Sequence, residues 1–350
     1  MIKATNGTLP TSILQLIGHT PVIRLGALFP EVPLHIFAKL EGFNPGGSMK
    51  DRTALSILRE AFANGRIKAG DTIIESSSGN LAIGLAQACI QFGLKFIAVV
   101  DPHINSHTLK ILRTYGAMVD MVHEKDENGS YLNTRIRRVQ ELHRRIKNSF
   151  WTNQYANLNN PLAQRRTLQE FIHQIQQVPD YLLVATSTCG TIMGCADLIR
   201  ECGYNTKLIA VDAVGSVLFD QQAAPRLLPG HGASRPSVLL DHTRIDRVIH
   251  VSDLECVMGC HQLLQREAIL SGASSGGIIA ALDSLLPQLP ANSCCAIILP
   301  DKGERYLDTV YSIDWIASQF DRVPDFIVEF QHQAVAIESD QSTYRSDFAA

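Results

Sequence analysis

The chain has 350 residues, 45% of them hydrophobic and 19% charged, which suits a soluble globular protein with more than one core. A formal net charge of −3 gives no electrostatic basis for binding nucleic acid or an anionic membrane. No apolar stretch is long enough to span a bilayer, and no signal-peptide pattern is present; eight scattered cysteines without C-x-x-C suit a reducing cytoplasm and no metal site.

Short runs rich in Ile and Val alternate with helix-length segments. Strands are expected at residues 35–41, 72–75, 95–101, 118–122, 181–186, 208–213, 248–251 and 295–299. Helices are expected at residues 49–63, 81–92, 107–115, 132–148, 192–202, 254–271 and 277–286. This alternation predicts an α/β fold whose mostly parallel sheets are covered by helices. The pattern recurs on either side of residues 151–161, predicting two lobes and a cleft. The smaller lobe is expected at residues 46–157, the larger at 11–45 plus 158–322, and a mobile tail at 323–350. Arg137, Arg138, Arg144, Arg145 and Lys147 read as the solvated face of a helix.

Four loops carry chemistry. In Asn44-Pro45-Gly46-Gly47-Ser48-Met49-Lys50-Asp51-Arg52 a Pro-Gly-Gly turn brings backbone close to a ligand beside a helix start. Ser48 is expected to cap that helix, with Asp51 closing a capping box. Lys50 falls in the first turn, where the helix dipole and Arg52 are expected to lower its pKa and make it an imine-forming nucleophile. Glu75-Ser76-Ser77-Ser78-Gly79-Asn80 ends a strand and opens a helix, an anion site of carboxylate size. Ser187-Thr188-Cys189-Gly190-Thr191 does the same with the makings of a phosphate cradle. In Gly272-Ala273-Ser274-Ser275-Gly276-Gly277 a serine is placed to bond a ring nitrogen, and Pro300–Tyr306 is placed to close the same pocket. Taken alone, the first loop reads as an ordinary turn followed by a surface lysine, and each of the other three reads as a polar helix cap. Together an amine, a phosphate cradle and a ring-nitrogen hydroxyl match the needs of pyridoxal phosphate. Neither G-x-x-x-x-G-K-[ST] nor G-x-G-x-x-G occurs, which disfavours a nucleoside triphosphatase or a nicotinamide enzyme.

These motifs, with Ile17-Gly18-His19-Thr20-Pro21, resemble the fold-type II pyridoxal-phosphate enzymes, the cysteine synthase and cystathionine β-synthase family, over about residues 14–318. The resemblance implies that Lys50 forms the Schiff base and Asn80 bonds the cofactor's ring hydroxyl. It implies that Ser76, Ser77, Ser78 and Gly79 hold the substrate α-carboxylate. By the same resemblance Ser187, Thr188, Cys189, Gly190 and Thr191 hold the phosphate, Ser274 faces the pyridine nitrogen, and the enzyme is a homodimer. A neutral hydroxyl at that nitrogen makes the ring a weaker electron sink, favouring loss of a β-leaving group over transamination.

Within the family, residues 131–135, 153–157, 211–217 and 229–235 resemble the branch that joins O-phospho-L-serine to L-glutamate for siderophore 2,3-diaminopropionate. That implies substrate-binding roles for Arg135, Gln154 and Tyr155, with Ser187 beside them and Arg235 a weaker candidate. Two alternatives stand beside it: a cysteine synthase using sulfide, and a catalytically silent relative that binds partners. Cys189 stands where most members have glycine, and Gln164-Arg165-Arg166-Thr167 departs from the family pattern at a helix entry.

Overall fold

Runs of Val, Ile and Leu without polar alternation form strands buried on both faces, and such strands make the centre of two sheets in the computed structural model, which describes residues 9–126 and 129–330. The first half of the described chain runs β1 (Val22–Arg24), β2 (His35–Leu40), α1 (Lys50–Ala63), β3 (Thr72–Ser76), α2 (Asn80–Phe92), β4 (Lys95–Val100), α3 (Ser106–Thr114), β5 (Met118–Met121), α4 (Leu132–Arg145) and β6 (Ser149–Trp151). The second half runs α5 (Asn159–Ile175), β7 (Tyr181–Ala185), α6 (Gly190–Cys202), β8 (Lys207–Ala213), β9 (Arg247–Val251), α7 (Asp253–Glu267), α8 (Ala273–Leu285), β10 (Cys294–Leu299) and α9 (Ile313–Gln319).

The larger sheet has the order β1-β2-β10-β7-β8-β9, parallel except for the antiparallel edge strand β1. The smaller sheet, β5-β4-β3-β6, is wholly parallel. The expected α/β architecture is therefore present, and side-chain alternation divides each sheet between two layers of helix. Leu183, Ile209 and Ile297 pack with Val257 of α7 and Ile278 and Leu282 of α8. Leu182, Ala210 and Ile298 face the other way, onto Leu168 and Phe171 of α5 and Ile192 of α6. In the smaller sheet Ile73 and Ala98 meet Leu58 of α1 and Leu85 of α2, while Ile74 and Val99 meet Val139 and Leu142 of α4.

Several expectations need correction. The three-residue strands β1 and β6 were not foreseen, because nothing so short carries a period. Helix α5 was missed for a different reason: its buried face is partly polar, with Asn160, Gln164 and Thr167 fully enclosed beside Leu168 and Phe171. The departure at residues 164–167 thus lies inside a continuous helix. Helices expected to reach residues 148 and 271 stop at Arg145 and Glu267; Ala268 takes a left-handed conformation after the latter. A tail beginning at 323 also fails, since Val323, Phe326 and Ile327 pack into the larger core and Ile327 is fully buried. The rest of the expected tail, 331–350, lies outside the described residues.

Among the described residues no helix is long and apolar enough to cross a membrane, and no group of His, Cys, Asp and Glu is arranged to hold a metal ion.

Candidate active site

Loops at the carboxyl ends of the parallel strands converge on Lys50, as expected for an open α/β sheet. The turn before Lys50 is fixed from both sides. Gly47 takes φ +82°, and a Cβ on Gly46 would lie 2.5 Å from Asp51 Oδ1, so glycine is required at both positions. The capping box is not formed: Ser48 Oγ accepts from the Lys50 N–H at 3.2 Å, but Asp51 accepts from Gly46 instead. Asp51 is buried, and burial pushes its carboxyl up to about 7.

Arg52 does not act on Lys50 as expected. Its guanidinium makes two forked pairs, with Glu41 at 2.7 and 2.8 Å and with Glu170 at 2.8 and 2.7 Å. Glu41 also accepts from Thr20 Oγ1 and Asn44 Nδ2, while Lys39 Nζ pairs with Glu170 at 3.2 Å. This buried network ties residues 18–20 and 41–44 to the first turn of α1. Lys50 itself is half-buried, and its pKa is lowered to about 8 by desolvation, against the raising influence of Cys189 and Asp301.

The residues of the expected phosphate cradle stand beside it. Cys189, in a left-handed conformation at φ +64°, precedes the first turn of α6, whose N–H groups have no helical acceptors. Burial pushes the Cys189 thiol up to about 12. A Cβ on Gly190 would lie 2.2 Å from Asn160 Oδ1. That side chain is fully buried: Oδ1 accepts from Thr53 Oγ1, and Nδ2 donates to Gln154 O at 2.9 Å and Thr188 Oγ1 at 3.1 Å. Asn160 therefore joins α1, the 152–157 loop and the cradle. Gln164 Nε2 reaches Met49 O, next to Lys50, at 3.2 Å. Thr191 Oγ1 lies 3.7 Å from Met49 Sδ, while Ser187 is half-exposed at the cradle's rim.

The serine loop runs from β3 into α2, with Ser76 and Ser77 buried and Ser78, Gly79 and Asn80 half-buried. Arg135 leaves the solvated face occupied by Arg137, Arg144 and Arg145. Its Nη1 donates to Ser78 Oγ at 3.2 Å and pairs with Asp101 at 3.3 Å, while its buried Nε has no partner among the described residues. Glu75, which sequence reading treated only as part of a motif, accepts from the N–H groups of Ser76 at 2.8 Å and Gln154 at 3.3 Å and from Thr152 Oγ1. It couples the serine loop to the loop bearing Tyr155. Burial raises its pKa.

Tyr155 is half-buried; Arg235 sits over its ring at 5.8 Å, and the charges of Arg135 and Arg226 reach it as well. Arg226 was not foreseen. It donates to His231 O at 3.1 Å and Ser234 Oγ at 2.7 Å, which places it on the same turn as Arg235. Nothing local in the sequence marks it, because the turn closes only through Gly232, where a Cβ would lie 2.3 Å from Arg226 Nη1.

Ser274 lies buried in the first turn of α8, and its hydroxyl has no hydrogen-bond partner among the described residues. The backbone of Asp301 bridges to Ser48 and accepts from Gly272 N–H at 3.2 Å. Its side chain accepts from Asn80 Nδ2 at 2.8 Å and Tyr306 O–H at 2.9 Å. Lys50, Asn80 and Ser274 are thus held by loops that meet at one residue the sequence did not single out.

An amine with a lowered pKa, a helix-terminal cradle whose Gly190 admits no side chain, and a serine hydroxyl at the start of α8 without a partner among the described residues fit pyridoxal phosphate. The comparisons agree. The chain matches the pyridoxal-phosphate dependent enzyme family over residues 13–301. It belongs to that family, and it is a pyridoxal-phosphate-dependent enzyme of fold type II. Among curated proteins it is 46% identical over 307 residues to the N-(2-amino-2-carboxyethyl)-L-glutamate synthase of Ralstonia nicotianae, covering 87% of this chain and 91% of that protein. Among solved structures, an O-ureido-L-serine synthase superposes with a TM-score of 0.81 at 28% identity, covering 92% of this chain and 100% of the other. An O-acetylserine-dependent cystathionine β-synthase from Helicobacter pylori gives 0.80 at 30% identity, covering 87% and 100%.

Proposed function

We propose that the chain is an N-(2-amino-2-carboxyethyl)-L-glutamate synthase, joining O-phospho-L-serine to L-glutamate with release of phosphate. It works in the cytoplasm as a homodimer and opens 2,3-diaminopropionate supply for a siderophore. The observation that carries this reading is the cationic surround of Tyr155. Arg135, Arg226 and Arg235 converge there, and neither Arg226 nor Arg235 has an ion-pair partner among the described residues. Asp101 pairs with Arg135, and the charges of Asp212 and Asp253 reach Arg226, yet the Arg226 and Arg235 guanidiniums stay without an ion pair among those residues, and forked donors left so suit the carboxylates of a ligand. A sulfide nucleophile has no use for them; a dicarboxylate does.

Bound pyridoxal phosphate supplies an electron-withdrawing ring that acidifies the substrate Cα and allows the β-substituent to depart. The chain's own residues do the rest. The first-turn amides of α2 and the hydroxyls of Ser76, Ser77 and Ser78 hold the α-carboxylate of O-phosphoserine. Lys50 Nζ, with a pKa near 8, takes the Cα proton and later returns it. The glutamate α-amine forms the new C–N bond at Cβ, where the C–O bond to phosphate has broken. Gln154, Tyr155 and the arginines position its carboxylates. Ser187, Thr188, Cys189, Gly190 and Thr191 hold the cofactor phosphate.

Steady-state kinetics of Tyr155→Phe and Arg235→Gln test this reading. Each lost charge-assisted contact, worth about 1.5–3 kcal/mol, raises the KM for glutamate about ten- to a hundredfold and leaves the KM for O-phosphoserine unchanged. An unchanged glutamate KM in both variants would remove the support that these residues give.

A further inference from the structure

Asp301 is a buried carboxylate that the chemistry above leaves without a task. It is 4% exposed, and its two oxygens are used unequally. Oδ2 takes both Asn80 Nδ2 at 2.8 Å and Tyr306 O–H at 2.9 Å, with Arg305 Nη2 farther off at 3.9 Å. Oδ1 is buried without a partner among the described residues, against Gly272, where a Cβ would lie 2.0 Å from it. The charged groups near it are Lys50, Arg305 and Glu304.

Burial raises the Asp301 pKa, while Arg305 and the hydrogen bonds from Asn80 and Tyr306 favour its ionised form, which accepts hydrogen bonds and donates none. Its contact therefore fixes which way the Asn80 amide faces. Turned over, Asn80 would set its own oxygen against a carboxylate oxygen in a buried place, which is repulsive. Held as it is, one N–H of Nδ2 goes to Asp301 and the second stays available for an acceptor. We propose that Asp301 is a positioning residue for the cofactor: it locks the Asn80 amide so that an N–H is presented to an acceptor atom of bound pyridoxal phosphate. Through its backbone bridge to Ser48 and its bond from Gly272 it holds that amide in register with Lys50 and Ser274. The inference rests on the family's cofactor and is independent of which nucleophile the enzyme uses.

The test reads the cofactor directly, in holoenzyme, as its visible absorption band and its retention on dialysis. Asp301→Asn keeps the shape but removes the constraint on the amide. It is expected to shift the band and to speed cofactor loss about tenfold, the effect of one hydrogen bond. Asn80→Ala is expected to do the same, and the double variant to do no more than Asn80→Ala alone. Asn80→Asp, in the wild-type background, is expected to lose the cofactor faster than Asn80→Ala, because two carboxylates would then meet. A wild-type spectrum and retention in Asp301→Asn, or losses that add in the double variant, would overturn the proposal. Equal losses in Asn80→Asp and Asn80→Ala would overturn it as well, even were Asp301→Asn to fail to fold.

Discussion

Lys50 owes its reactivity to burial, and the sign of that effect gives a pH prediction. Its folded pKa, near 8, lies below the ordinary 10.5, so the charged form is disfavoured in the native state. The unfolded chain binds more protons between those values, and the lysine's cost to stability is full below pH 8 and relieved as pH rises toward 10.5. Apoprotein carrying Lys50→Met should therefore be more stable than wild-type apoprotein at pH 7, by on the order of 2 kcal/mol. Thermal melts across pH should show the gap closing above about pH 10. A gap that widens with pH would contradict the burial argument. The lysine was legible in sequence from its turn and helix start, but the part of its lowered pKa ascribed to Arg52 does not hold. Arg52 is the cause of the error: Glu41 and Glu170, distant in sequence, neutralise it. Asp301, Glu75 and Arg226 were illegible for the same reason, since their roles arise from partners in other elements.

At the scale of elements, α5 is where sequence and structure part. Hydrophobic periodicity finds helices that bury hydrocarbon, whereas α5 turns Asn160, Gln164 and Thr167 inward to organise three loops. Its contact with α6 is close: a Cβ on Gly194 would lie 2.2 Å from Pro161 O. Gly194→Ala should force the helices apart and lower stability by about 1–3 kcal/mol or more, read as a fall in the urea midpoint. Arg52→Ala strands the Glu41 carboxylate in the interior and should cost about 3–5 kcal/mol by the same measurement. Arg52→Lys should recover little of it, because an ammonium cannot fork onto two carboxylates. Strands β2, β3, β4, β7, β8 and β10 were all legible, each a Val/Ile/Leu-rich run bounded by turn residues. Strands β1 and β6 were not, because they exist only as edges of sheets that the rest of the chain builds.

For the whole molecule, two mostly parallel sheets deliver their loops to one place, and the order of motifs along the chain was enough to identify the cofactor before any distance was known. What the cofactor-bound substrate will accept is written less locally. It depends on Arg135 from α4, Tyr155 from the loop after β6, and Arg226 and Arg235 from a turn after β8. The most direct test is to supply purified holoenzyme with O-phospho-L-serine and either L-glutamate or sulfide, and to identify the products by mass spectrometry alongside released phosphate. We predict N-(2-amino-2-carboxyethyl)-L-glutamate and an equal amount of phosphate with glutamate. Cysteine formed from sulfide, with no product from glutamate, would contradict the account.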